Sequence, residues 1–292
     1  MHKKQQLSVP EFIERYPLNN KEDKQGESHM TALAAPDTAS GLQGAIESQI
    51  IPRLVLSCRS SIHQQTSTPP AVSGKVGQEQ IENFCRLLTA PEPQEADRYV
   101  AELRQQGASL EWLYLELFGP TARYLGYLWE EDLGDFVDTT LGVGRLQRMV
   151  RDFSPEFRIS KGNHDSRRRV LLMPMPGENH TFGLTLVAEF FHRAHWHVWG
   201  WPLVEGNDLI KLIHKEWFAV VGISVAGQVN LGGLTSLIRD LRRESANSTI
   251  GVVVGGPIFL TQPDLTRKVG ADAMAVDARQ AVQQAESLLD LT

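Results

Sequence analysis

Cysteine is nearly absent from this chain: Cys58 and Cys85 are the only two among 292 residues. That excludes a disulfide-built scaffold, and the wide spacing predicts reduced thiols, with a redox-switch disulfide as the alternative. Long apolar runs are also missing. No stretch approaches the ~18 residues of a membrane span. No apolar h-region follows Met1-His2-Lys3-Lys4, so no secretory leader is expected and the expected location is cytoplasmic. A basic surplus is lacking too, since the net charge is −6. A dedicated nucleic-acid binder usually carries a basic face, so no sequence-specific nucleic-acid binding is expected. The clusters Arg167-Arg168-Arg169 and Arg239, Arg242, Arg243 read as solvated flanks of a strand and a helix.

What is present is enough apolar residue, 41%, for real cores, over a length that suits two domains and a tail. Residues 1–37 are polar, mixed in charge and aperiodic, which predicts a disordered tail. Residues 40–61 carry Ile46, Ile50, Ile51, Leu54 and Val55 at helical spacing, with Pro52 as a kink. A linker with Pro69-Pro70 follows over residues 64–77. Residues 78–153 are helical throughout, with breaks at Pro91–Pro93, Gly107 and Gly119-Pro120, and a last run from about Asp135 to Phe153. This predicts a four-helix bundle of about 75 residues within a cap domain spanning 38–155.

From Arg169 the pattern changes to alternating strands and helices. Strands are predicted at Val170–Met175, His197–Pro202, Phe218–Val225, Thr249–Val254 and Ala273–Val276. Helices are predicted at Phe182–Trp196, Asn207–Glu216, Leu231–Ser245, Asp264–Val269 and Ala278–Leu291. The fold class is therefore α/β: a helical bundle followed by a flavodoxin-like, Rossmann-type parallel sheet over residues 166–292. The expected strand order is 2-1-3-4-5, which puts the switch point between strands one and three.

Three loops then meet at one crevice. The first is Gly177-Glu178-Asn179-His180-Thr181-Phe182-Gly183. A His on a strand-to-helix loop suits an axial metal ligand. An acid two residues before it can accept the second ring N–H, and a Gly three residues after it lets backbone approach a bulky group. The second loop is Ser224-Val225-Ala226-Gly227 and the third is Gly255-Gly256. His192, His195 and His197 form H-x-x-H-x-H, but they straddle a helix end and a strand start beside Trp196 and Trp199, which points to packing rather than zinc.

These loops resemble the cobalamin-binding signature D-x-H-x-x-G, S-x-L, G-G. Glu178 stands for the acid, and Ala226 replaces the usual Leu. The spacings, 40 residues between Gly183 and Ser224 and 28 between Ala226 and Gly255, are close to that family's. The resemblance implies that His180 ligates cobalt, displacing the cofactor's nucleotide base, and that the displaced tail passes Ser224 and Gly255-Gly256. It also assigns Glu178, Thr181, Gly183, Val225 and Gln228 to the cofactor. The bundle resembles the cap of methionine synthase and of light-sensing cobalamin repressors, which carries W-x9-E-H. Here Trp129 is present, as a flat apolar lid on the corrin, while Thr139-Thr140 occupies the E-H position. With the upper His missing, Thr140 lines a site expected to favour hydroxo- or aquocobalamin, with a tail residue such as His2 or His29 as a candidate upper ligand.

The stretches W-x-x-D-x-x-x-F-V-D-x-T-L-G-x-G-R-L-Q, P-G-E-x-H-T-F-G-L and V-G-G-P-I-F are together similar to the antirepressors of photosynthesis genes in purple bacteria (the PpaA/AerR type). They are also similar to the C-terminal sensor domain of the blue-light relative of that group. The resemblance spans about residues 42–290. It implies a light- or redox-responsive regulator that binds cobalamin and acts by contact with a DNA-binding repressor, with Asp138 and Arg145 orienting the bundle against the sheet. A heme sensor on the same scaffold and a corrinoid methyl-carrier subunit of an enzyme are the alternatives. No general-base pair or substrate barrel is visible, so the chain is expected not to be an enzyme.

Overall fold

The computed structural model describes residues 74–160, 165–178, 180–200, 207–225 and 231–290. The expected tail, the helix over residues 40–61, Cys58 and Gln228 lie outside the described residues. The described residues form one compact unit.

The amino-terminal part of that unit is helical: α1 Gln78–Thr89, α2 Pro93–Gln105, α3 Leu110–Trp112, a π-helical segment Leu113–Phe118, α4 Gly119–Glu130 and α5 Phe136–Phe157. Pro93 sits in the first turn of α2, where its missing N–H costs nothing. The break expected at Gly119-Pro120 is absent. The wider turn places Gly119 N–H on the carbonyl of Tyr114, five residues back. The Thr121 hydroxyl donates to Leu117 O at 2.7 Å. The chain therefore passes Pro120 without ending the helix, because a π turn relieves the register conflict that a proline imposes. The last helix runs to Phe157 rather than Phe153 and carries Pro155.

Helices α4 and α5 are joined by a tight turn. Leu133 and Gly134 N–H both donate to Leu128 O, and the Asp135 carboxylate caps α5 by accepting from Val137 N–H. Gly142 lets the two helices close, since a Cβ there would lie 2.9 Å from Leu125 Cδ1. Arg145 donates to the carbonyls of Leu88 and Ala90. It ties α5 to the α1–α2 turn within the bundle, so it does not orient the bundle against the sheet as expected. The α1 carboxyl end has orphan carbonyls that need a donor, and Arg145 supplies it.

The sheet is fully parallel, in the order β2-β1-β3-β4-β5: β1 Arg169–Pro174, β2 His197–Gly200, β3 Val220–Ser224, β4 Gly251–Gly255 and β5 Ala273–Ala275. The helices are α6 Phe182–Arg193, α7 Asn207–Lys215, α8 Leu231–Glu244, α9 Pro257–Thr261, α10 Leu265–Lys268 and α11 Ala278–Leu289. Strand alternation splits the core in two. Val170, Leu172, Val220 and Val253 pack with α6, α11 and the bundle, whereas Leu171, Val221, Ile223, Val252 and Val254 pack with α7 and α8. The bundle thus shares one core with a sheet face.

Polar contacts lock that junction. Buried Glu189 of α6 accepts from Arg158 at 2.6 and 2.9 Å and from the Ser154 hydroxyl at 2.8 Å. Glu111 of α3 binds both Arg193 and Arg279. The expected basic flanks are paired as well: Arg167 with Asp165, Arg168 with Glu286, Arg169 with Glu216 and Arg242 with Asp272.

Candidate functional site

The carboxyl ends of the strands form one aligned row. Pro174 of β1 pairs in register with Ser224 of β3, Ser224 with Gly255 of β4, and Gly255 with Ala275 of β5. The row is continued past the strands by Met175 N–H to Ser224 O at 2.8 Å and Val225 N–H to Gly255 O at 2.9 Å. The three loops singled out by sequence therefore leave from adjacent strand ends, as the switch-point topology requires.

The first loop turns at Gly177, whose φ of +89° is a left-handed conformation suited to glycine. Glu178 N–H closes this turn on Met175 O at 2.9 Å, and its side chain is half-buried. His180 is exposed, Thr181 is buried, and α6 begins at Phe182.

The glycines separate into two kinds. A Cβ on Gly256 would lie 1.8 Å from Val225 O, and its φ is +125°. Gly256 is therefore required by the protein's own backbone. Gly183 is exposed, and a Cβ there would meet nothing within 4 Å. A Cβ on Gly255 would make an ordinary contact, 3.4 Å from Ala275 O. Neither of these two is forced by internal packing, and both leave room for an external group. Exposed apolar side chains gather at the same edge: Leu231 after the β3 loop, Leu260 after β4 and Val276 after β5. A solvent-facing imidazole, side-chain-free backbone and apolar wall fit a large cofactor with an axially ligated metal.

The bundle supplies the other wall. Trp129, at the end of α4, lies 6.3 Å from the His180 ring between centroids, inclined by 50°. Phe136, at the start of α5, lies 6.2 Å from Trp129. Trp129 and Phe136 are 40% and 59% exposed despite being large aromatics. Phe136 had no assigned role from sequence. The signal was its position just after the α4–α5 turn, which returns it to the level of Trp129. Thr140 is exposed one turn along α5 from Phe136.

The other histidines do not converge. His192 is half-buried in α6, and the His195 ring nitrogen Nε2 contacts the Ser160 hydroxyl at 2.9 Å. Among the described residues no group of three or more His, Cys, Asp or Glu is placed to hold a metal ion. A cleft of about 650 Å3 opens along α6 and α11, lined by Glu111, Ser160, Arg168, Arg193, His195 and Arg279 among others. Its guanidiniums are held by Glu111 and Glu286, and none of the three loops singled out by sequence lines it.

Residues 168–286, the sheet half of the chain, match the B12 binding domain family. The chain is 23% identical over 183 residues to an uncharacterized 20.5 kDa protein of the bchF-crtJ intergenic region of Rhodobacter capsulatus. The match covers 63% of this chain and 95% of that protein. Among solved structures it is similar to the monomethylamine corrinoid protein of Methanosarcina barkeri, with a TM-score of 0.52 and 14% identity. That alignment covers 73% of this chain and 97% of the other. This likeness shows the fold: helices ahead of a five-stranded parallel sheet. Among the described residues no helix is long and apolar enough to cross a membrane.

Proposed function

We propose that this chain is a cobalamin-binding regulator without catalytic activity, acting as an antirepressor by contact with a DNA-binding repressor of photosynthesis genes. One observation carries the cofactor part: exposed His180 leaves β1 beside the aligned Ser224 and Gly255 and faces Trp129 of the bundle. Support for the regulatory part comes from the photosynthesis-gene neighbourhood in which the Rhodobacter capsulatus relative is encoded.

Cobalamin would supply a cobalt centre open to an imidazole and a nucleotide tail that needs a narrow slot. His180 would hold the metal, and Glu178 would fix the ring by accepting its second N–H. Ser224, Val225 and Gly255 would flank the tail, and Thr181 and Gly183 would border the ring. Trp129 and Phe136 would exclude water from the upper face. Trp129 and the His180 ring lie 6.3 Å apart between centroids, so the Trp129 side chain would turn or shift for a macrocycle to enter between them. Thr140, in place of an upper His, is the basis for favouring hydroxo- or aquocobalamin.

The test is a visible absorption titration of the purified full chain with hydroxocobalamin, beside His180→Ala. Corrin bands shifted by histidine ligation are expected in the wild type and lost in the variant, with affinity lowered at least about tenfold. Equal affinity and an unchanged spectrum in the variant would overturn the assignment, and a Soret band in the purified protein would replace cobalamin with heme. For the regulatory part, the chain alone is expected not to shift promoter DNA, and a specific, salt-resistant shift would overturn it.

A further inference from the structure

The α4–α5 turn carries more exposed apolar surface than a lid over His180 explains. Trp129 lies against both Phe136 and the His180 ring. Leu133 and Val137 are 67% and 64% exposed, and Leu141 is also exposed. Val137 and Leu141 lie four residues apart, about 100° around α5 from Phe136 and Thr140, so they form a second apolar strip beside the first.

This strip is set in negative charge. Residues 127–141 contain Glu130, Glu131, Asp132, Asp135 and Asp138 and no Lys or Arg. All five acids are exposed. None makes an ion pair with a described residue, whereas Glu111, Glu156, Glu189 and Glu216 elsewhere all do. Asp135 caps α5. The other four carboxylates have no structural use in the described contacts.

We propose that residues 127–141 form a docking surface for a partner protein that presents a basic, apolar face. The charge selects the occupant. Five carboxylates repel nucleic-acid phosphate and anionic lipid and attract clustered Lys and Arg, while Leu133, Val137 and Leu141 supply the desolvated centre that gives lifetime to the contact. A DNA-contacting face has this basic character, so the surface competes with DNA for it. The choice of a DNA-binding partner rests on the function proposed above; the docking chemistry does not. Because Trp129 and Phe136 belong to the same turn, cofactor entry under Trp129 would also move this surface.

The probe is a short fluorescent helical peptide with leucines on one face and lysines on the other, titrated into the full chain at low and at moderate salt. Neutralising Glu130→Gln, Glu131→Gln, Asp132→Asn and Asp138→Asn together, with the Asp135 cap kept, is expected to weaken binding about tenfold or more, mostly at low salt. Leu133→Ser with Val137→Ser is expected to weaken it at both salt concentrations. A control with Glu79, Glu92, Glu95 and Glu102 changed to Gln is expected to bind as the wild type does. Equal loss in the control, unchanged binding in the test variants, or equal binding of a scrambled peptide overturns the proposal. Cobalamin uptake is read in the same samples. If the wild type takes up none, the cofactor assignment fails while the peptide result still decides the docking surface.

Discussion

Gly255 and Gly256 look alike in sequence, yet the structure assigns them opposite reasons for lacking a side chain. In Gly256→Ala the new Cβ would sit 1.8 Å from Val225 O at a φ of +125°. Holding a non-glycine residue there costs about 1–3 kcal/mol, and the Val225 carbonyl, at the end of β3, must also shift. A loss of about 3 kcal/mol or more is expected, which for a domain of this size lowers Tm by roughly 6–12 °C. In Gly255→Leu the Cβ has an ordinary contact at 3.4 Å and the strand register with Ser224 is unaffected. Tm should stay near the wild-type value. The rest of the leucine enters the slot proposed for the nucleotide tail, and overpacking of about 1–3 kcal/mol corresponds to roughly 5- to 150-fold weaker cobalamin binding. Differential scanning calorimetry and a hydroxocobalamin titration on both variants check this. Wild-type cobalamin affinity in a folded Gly255→Leu protein would refute the tail path, and an unaltered Tm in Gly256→Ala would refute the backbone argument.

Burial, followed by the nearby Arg158, holds the His192 pKa below its ordinary value of 6.5. The unfolded chain therefore takes up that proton first, and stability is lost as pH falls through 6.5 toward the lowered folded value. His192→Gln should show a smaller drop in Tm between pH 7.5 and 5.5, read by thermal melts, and an identical drop would refute the assignment. Cys85 is buried, and its thiol is pushed up to about 11 by desolvation and then by Asp138. Iodoacetamide should label it slowly in the native protein and rapidly in urea, and native labelling at the rate of an exposed thiol would contradict this burial. Because that pKa is raised, the thiol's contribution to stability is kept below pH 9 and lost between about 9 and 11.

The sheet half was legible because its signals are local. Val220, Val221 and Ile223, or Val252, Val253 and Val254, are β-branched runs bounded by Gly, Pro or Ser, and buried parallel strands have that composition. The helix Pro257–Thr261 was not read, since five residues behind Gly-Gly-Pro carry too little periodicity to distinguish a turn of helix from loop. The continuation through Gly119-Pro120 was also hidden. Proline is a reliable breaker only when the preceding turn is α-helical, and π hydrogen bonding is a property of the folded backbone. Arg145 was assigned to the wrong partner because a helical Arg reaches several neighbours, and only packing shows that the α1 carbonyls are the ones in range.

The sequence by itself determined the element types, the parallel order of the strands and the loops bearing His180, Ser224 and Gly255. Each depends on residue type and spacing within a few turns of chain. Tertiary structure alone decided that Trp129 approaches His180, 51 positions away. It also decided that Gly256 serves the backbone while Gly255 leaves space, and that Leu133 and Val137 stay exposed. Those facts depend on where distant segments come to rest against one another, set by the core that the bundle and the sheet share, and no local pattern encodes that distance.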